Sequence, residues 1–241
     1  MRANRRARVA LALAAVMLLT VAGGRLWLRA GASITHTEGS PSFVAITFDD
    51  GLNGDTTRAA ADTLGRYGAP ATFFVVARTV VEQPELARRL RRQGHLIANH
   101  SYDHPRAKKS DLRYTQAARA QATFYDAFGE CPAFFRPPWG VQTPFVNAAV
   151  KRARMRTVLW DVEVADWDET DPARLAANVL AKVRPGSIIL LHDGEDGHLG
   201  ADRSTTVAAL PAILEGLNAR GLTPVRLDQL LGTPGYTSDC R

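Results

Sequence analysis

The sequence predicts an α/β protein: a closed or nearly closed (β/α) barrel of about seven parallel strands, with a doubly wound sheet as the alternative. Three observations carry that expectation. Short apolar runs recur along residues 43–231, and most are followed by a helical stretch, the pattern of a parallel sheet covered on its outer side. The alternation has no long break. Polar, chemistry-bearing residues collect directly after the apolar runs, where a barrel keeps its active site, at the C-terminal ends of its strands.

The chain opens with a leader. Residues 1–8 carry Arg2, Arg5, Arg6 and Arg8, and residues 9–24 form an uncharged apolar run. That is the layout of an export signal. Ala30, Gly31 and Ala32 offer a small-x-small cleavage site, although Arg25 and Arg29 stand before it. The other reading, which we favour, extends the run to Leu28 as an uncleaved anchor. Its length matches the roughly 20 residues that a bilayer requires, and the arginines ahead of it would keep the N-terminus in the cytoplasm. Residues 1–32 thus read as a signal peptide or membrane anchor, with the rest of the chain outside the cytoplasm. Residues 33–42, small and polar, read as a linker, and residues 43–235 as one domain.

Within that domain, strands are expected at 43–48, 71–77, 95–98, 134–135, 157–162, 187–191 and 223–227. Helices are expected at 56–67, 82–93, 111–128, 143–152, 171–183 and 204–220. Pro144 and Pro172 fall in first turns, where a missing N–H costs nothing.

Composition narrows the function. Hydrophobic residues at 46% and charged residues at 22% of 241 suit a chain that buries a real core, not a disordered or collagen-like one. The net charge of +6 resembles a nucleic-acid footprint. However, six arginines lie in residues 1–33, which contain no Asp or Glu, and the other 24 basic residues are matched by 24 acids. The body is neutral, and nucleic acid is excluded as a partner. Cys131 and Cys240 are an even pair in an oxidising compartment, open to one disulfide or two free thiols; we expect the bond.

The strand ends hold the candidate site. Asp49 and Asp50 follow the first strand, and residues 99–104 (NHSYDH) follow the third. Residues 136–140 (RPPWG) follow the fourth, Asp161, Asp166 and Trp167 the fifth, and His192 and Asp193 the last long one. His100 and His104 are four apart, so on a helical turn their rings reach one point. A carboxylate from another loop would complete a three-ligand metal site with open positions. Two adjacent acids at an apolar strand end are costly without a cation. A lone H-x3-H pair or a lone pair of acids would be weak evidence; their meeting at equivalent ends of a barrel is strong.

The arrangement resembles the polysaccharide deacetylase family, the NodB-homology type of carbohydrate esterase family 4. Residues 47–51 (TFDDG), 100–104 (HSYDH), 136–140 (RPPWG), Asp166-Trp167 and 190–192 (LLH) match its five motifs in order. The resemblance implies a distorted (β/α) barrel and hydrolysis of acetyl groups from N-acetylated sugars. It implies one divalent metal on Asp50, His100 and His104: zinc first, with cobalt, nickel or manganese as alternatives. Asp49 would be the general base, held by Arg136, and His192 the general acid, charged and oriented by Asp166. Trp139, Trp167 and Leu191 would line an apolar cleft for the acetyl methyl and the sugar face. The backbone N–H of Trp139 would serve the oxyanion.

Peptidoglycan, chitooligosaccharide, poly-N-acetylglucosamine and, as an ester, acetylated xylan are the candidate substrates; no protein partner is implied. A non-catalytic glycan-binding protein is the second reading, but a decayed enzyme would have lost one of these residues. A two-carboxylate glycosidase fits poorly, because adjacent acids cannot flank one glycosidic bond. Bland roles remain for several positions. Asp166 could cap a helix, the tryptophans could be packing, and Asp103 and Asp193 could support loops. His95 reads as structural. Residues 193–202, which include His198, read as a mobile loop without EF-hand spacing.

Overall fold

A computed structural model describes residues 33–107 and 113–240. The signal peptide or anchor expected at 1–32 lies outside them; among the described residues no helix is long and apolar enough to cross a membrane.

The architecture is a curled parallel sheet. The central strand β1 (Phe43–Asp49) pairs with β2 (Thr72–Val75) on one side and β7 (Ile188–His192) on the other. β3 (Leu96–Asn99), β5 (Phe134–Phe135) and β6 (Arg156–Thr157) extend the sheet beyond β2, and β8 (Thr223–Pro224) pairs with the start of β1. Every pairing in this sheet is parallel. β4 (Cys131–Pro132) instead pairs antiparallel with β9 (Tyr236–Thr237).

Both strand faces are apolar because both are buried. Val44, Ile46 and Phe48 point to the helical layer, while Ala45 and Thr47 point inward with Phe74, Ala98 and Ile188. Fully burying an aliphatic or phenyl side chain of this kind contributes about 1.5–3 kcal/mol. The covering helices are α1 (Gly54–Arg66), α2 (Ala77–Glu82), α3 (Pro84–Arg92), α4 (Gln116–Phe128), α5 (Pro144–Arg152), α6 (Pro172–Lys182) and α7 (Ser204–Ala219). α8 (Leu227–Leu231) places Leu227 and Leu230 in the inner cluster.

Three expected elements come out differently. The helix expected at 82–93 starts at Pro84, and the separate helix α2 ends before it at Glu82, because the residue before a proline disfavours α geometry. Gln83 sits at φ −134°, and Pro84 begins α3. The helix expected from residue 111 begins at Gln116; Asp111 lies outside the described residues. The strand expected at 157–162 is a ladder at Arg156–Thr157, a bridge from Val158 to Ile34 and a bridge from Val162 to Ile189. Between them the chain changes partners: Val158 N–H donates to Phe135 O, whereas Val162 N–H donates to Ile188 O. One segment therefore touches both ends of the sheet and draws the curl round. The carbonyls in that gap go to a side chain, with Arg136 Nε donating to Val158 O (3.3 Å) and Nη2 to Leu159 O (2.9 Å).

The expected linker is docked over its first part. Ile34 N–H donates to Thr157 O, Leu159 N–H to Ile34 O and Thr37 N–H to Gly186 O. A Cβ on Gly186 would lie 1.9 Å from Thr37 O, so only glycine admits that approach.

Cys131 and Cys240 are bonded, with their Cα atoms 6.2 Å apart. Tyr236 also pins the tail: its phenol oxygen accepts a hydrogen bond from Ile97 N–H of β3 at 2.9 Å. A cross-link spanning 109 residues constrains the unfolded chain by about 4.7 kcal/mol in the chain-entropy model. Cys240→Ser is therefore expected to lower the denaturant midpoint clearly, and a reductant to lower that of the wild type to match. Identical midpoints with and without reductant would show that the bond contributes nothing.

Candidate active site

β1 delivers two carboxylates in different settings. Asp49 closes the strand facing inward, 3% exposed, and Asp50 turns at φ 74° into the following loop. That turn is packed too tightly for side chains. Gly51 lies under Asp193, whose Oδ2 would be 2.3 Å from a Cβ at that position. This contact accounts for the glycine that ends TFDDG. Asp193 is fully covered, accepts a hydrogen bond from Thr57 Oγ1, and is pushed up to about 7, mainly by burial.

Asp50, His100 and His104 converge. Asp50 Oδ1 lies 3.3 Å from His100 Nε2 and 3.0 Å from His104 Nε2, and the two Nε2 atoms are 3.1 Å apart. The turn after β3 achieves this with Ser101 and His104 both at positive φ, and His104 N–H donates to Ser101 Oγ. His100 Nδ1 donates to Arg136 O (2.8 Å), which leaves its Nε2 lone pair facing the cluster. Asp50 Oδ1 is buried with no aligned donor among the described residues. Three electron pairs meeting at one buried point suit a cation, and this is the site among the described residues that could hold a metal. Burial alone would lower the pKa of His100, but the charge of Asp49 and the contacts with Asp50 raise it.

Arg136 directly follows β5. It is 0% exposed, stacks over Phe74 (4.0 Å), and donates from Nη1 to Asp49 Oδ1 (2.6 Å) and Thr47 Oγ1 (2.8 Å). Burial pulls its pKa down and the Asp49 carboxylate opposes that shift. Asp49 is thereby held by one oxygen. Its Oδ2 stands 3.7 Å from His100 Nε2, beside the cluster.

The third group lies at the end of β7. His192 Nδ1 donates to Asp166 Oδ1 (2.7 Å), and His192 N–H and Thr206 Oγ1 donate to Asp166 Oδ2 (2.8 and 2.9 Å). Asp166 spends its oxygens on this histidine and on Thr206. Burial works against the imidazolium, yet the hydrogen bond and charge of Asp166, helped by Asp50 and Asp49, raise His192 to about 9.

A cleft of about 480 Å³ joins Asp49, Asp50, His100, His104 and His192. Trp139 and Trp167, 55% and 43% exposed, line it. The Trp139 ring leans on His104 (5.5 Å) and Trp167 meets His192 edge to face (5.1 Å). Trp139 has φ 59°, and its N–H has no acceptor among the described residues. Leu191 is not in the cleft; it is 0% exposed within the helix-facing core, and Leu190 lines the cleft instead. Side chains alternate along a strand, so Leu190 shares the face of His192 and Leu191 cannot.

Several features escape the sequence. Residues 193–202 are stitched down: Gly200 N–H donates to Asn53 Oδ1, Asn53 Nδ2 to Ala201 O and Arg203 Nε to Gly194 O. Asp196 Oδ1 lies 2.7 Å from His104 Nδ1, off the line of a hydrogen bond. Nothing in its Gly/Asp-rich surroundings singles it out in the sequence. His95 is structural, as expected: it accepts Ala71 N–H, and burial pushes it down to about 4. His198 is exposed and Asp103 pairs with Arg119 at the surface.

Comparison with known proteins agrees with this geometry. Residues 36–158 match the family model described as polysaccharide deacetylase. A chitooligosaccharide deacetylase of Bradyrhizobium is 36% identical over 196 residues, covering 78% of this chain and 90% of that protein. The peptidoglycan-N-acetylglucosamine deacetylase PgdA of Listeria monocytogenes is 33% identical over 192 residues. That match covers 78% of this chain but 39% of the Listeria protein. A crystal structure of a peptidoglycan N-acetylglucosamine deacetylase, in complex with a naphthalenyl N-hydroxybenzamide, superposes with a TM-score of 0.78. It is 27% identical and covers 87% of this chain and 97% of that one.

Proposed function

Because this chain belongs to the polysaccharide deacetylase family, we propose that it hydrolyses the N-acetyl groups of a glycan built on N-acetylglucosamine, outside the cytoplasm. The observation that carries the reading is the convergence of three constellations on one cleft: Arg136 with Asp49, the Asp50–His100–His104 cluster, and Asp166 with His192. The export pattern of residues 1–32 supports the location, with the segment retained as an anchor.

A divalent ion on Asp50, His100 and His104, zinc in our reading, would supply Lewis acidity and favour ionisation of water. The protein does the rest. Asp49, fixed through Oδ1, accepts through Oδ2 the proton of the water that attacks the acetyl carbonyl carbon. The Trp139 N–H donates to the oxygen on which negative charge develops. His192, held protonated by Asp166, gives a proton to the sugar nitrogen as the C–N bond breaks. Acetate and a free amine leave. Trp139 and Trp167 hold the sugar, and Leu190 supplies the apolar contact.

The test is a panel of acetylated oligosaccharides, including acetylated xylan, followed by product mass. Loss of acetyl from N-acetylglucosamine oligomers with the backbone intact is expected, and cleaved glycosidic bonds or no reaction would sink the proposal. Metal analysis alongside is expected to find one ion in the wild type and little in His104→Ala; equal metal in both would remove the ligand assignment.

A further inference from the structure

We infer that Asp196 is a positioning residue for the cation site, holding the His104 imidazole so that Nε2 faces Asp50 and His100. This rests on the metal reading above. An imidazole that ligates through Nε2 carries its proton on Nδ1 and is oriented by whatever accepts that proton. For His100 the acceptor is Arg136 O, at 2.8 Å. His104 has no backbone counterpart among the described residues, its side chain is 4% exposed, and the oxygen facing its Nδ1 is Asp196 Oδ1 at 2.7 Å. That separation is within reach of a charge-assisted bond, and a small rotation of either side chain aligns it.

Asp196 is well placed for the task because its backbone is braced. Arg78 Nη2 donates to Asp196 O (3.3 Å), and Gly197 abuts Val76 so closely that a Cβ would lie 2.8 Å from Cγ1. Glu195 and His198 are bridged on either side. A carboxylate here is also a stronger acceptor for the Nδ1 proton than a carbonyl would be, and such an outer partner tightens the bond of the ring to a cation. The segment after β7 thereby contributes to the metal site without ligating it.

The residue has φ 51°, which glycine and asparagine tolerate. Asp196→Gly and Asp196→Asn therefore remove the charge without straining the turn. The measurements are the zinc dissociation constant of the full chain in detergent, by competition with a chromophoric chelator, and the d–d absorption of the cobalt-substituted protein. Asp196→Gly is expected to weaken zinc about 10- to 100-fold and to shift the cobalt bands. Asp196→Asn, which keeps a neutral acceptor, should fall between it and the wild type. Glu195→Gln, next to it, should leave both readouts unchanged. Zinc affinities within twofold of wild type and superimposable cobalt spectra in both Asp196 variants would overturn the inference. So would an equal loss in Glu195→Gln, which would indicate a general effect of the loop. A wild type that binds no zinc is a different result, removing the metal reading itself.

Discussion

Asp49→Asn is expected to lower kcat about a thousandfold while bound metal and KM stay close to wild type. The carboxylate has one oxygen committed to Arg136 and the other beside the His100 cluster. Asparagine keeps the first contact and cannot accept a proton at the second. General-base groups contribute about 10²–10⁴-fold, and a thousandfold corresponds to about 4 kcal/mol of barrier. The metal should remain, because Asp50, His100 and His104 are untouched. The fold should lose on the order of 3 kcal/mol, since the charge of a fully buried Arg136 loses its partner. Thr47, Val158 and Leu159 still accept from the guanidinium, so the variant should fold in the cold. Steady-state kinetics, metal analysis and a melting curve decide it together. A kcat within tenfold of wild type, with metal bound and fold intact, would show that the proton goes elsewhere.

Asp166→Asn should lower kcat about a hundredfold and move the high-pH limb of the activity profile downward by about one to two units. The sign follows from His192. Its protonated form is required to protonate the leaving nitrogen, so activity falls as pH rises through its pKa, about 9 in the intact protein. Without the Asp166 charge that pKa moves toward the ordinary 6.5, and the limb moves with it. Stability should respond in the same direction. A histidine raised above its unfolded value stabilises the fold fully below about 6.5, and that contribution is lost as pH rises through about 9. The variant should lack this dependence. An unmoved limb would mean that Asp166 only supports the turn through Thr206 and the His192 backbone.

Much of the site was legible because its parts are local. TFDDG, HSYDH and RPPWG each follow an apolar run, and a parallel barrel brings the ends of its strands together whatever the details of packing. The histidine pair needed only a turn of four residues. The start at Pro84 was also legible, since proline suits the first turn of a helix and disfavours helical geometry in the residue before it. Leu191 was a matter of parity: once His192 is assigned inward, alternation sends Leu191 outward, and a motif match carries no such information.

What the sequence determined by itself is the succession of parallel strands along the chain, the acids and histidines at their ends, and the basic and apolar pattern of residues 1–28. Those depend on chain neighbours and on periods of two and four. The tertiary structure decided what Arg136 is for, since it reaches Asp49 across 87 residues while filling the gap where residues 158–159 change partners. It also decided that Asp196 meets His104 and that Asp193 covers Gly51. The reason is physical. Such contacts depend on how far the sheet curls and on the register of β7 against β1, and packing summed over the whole core sets both.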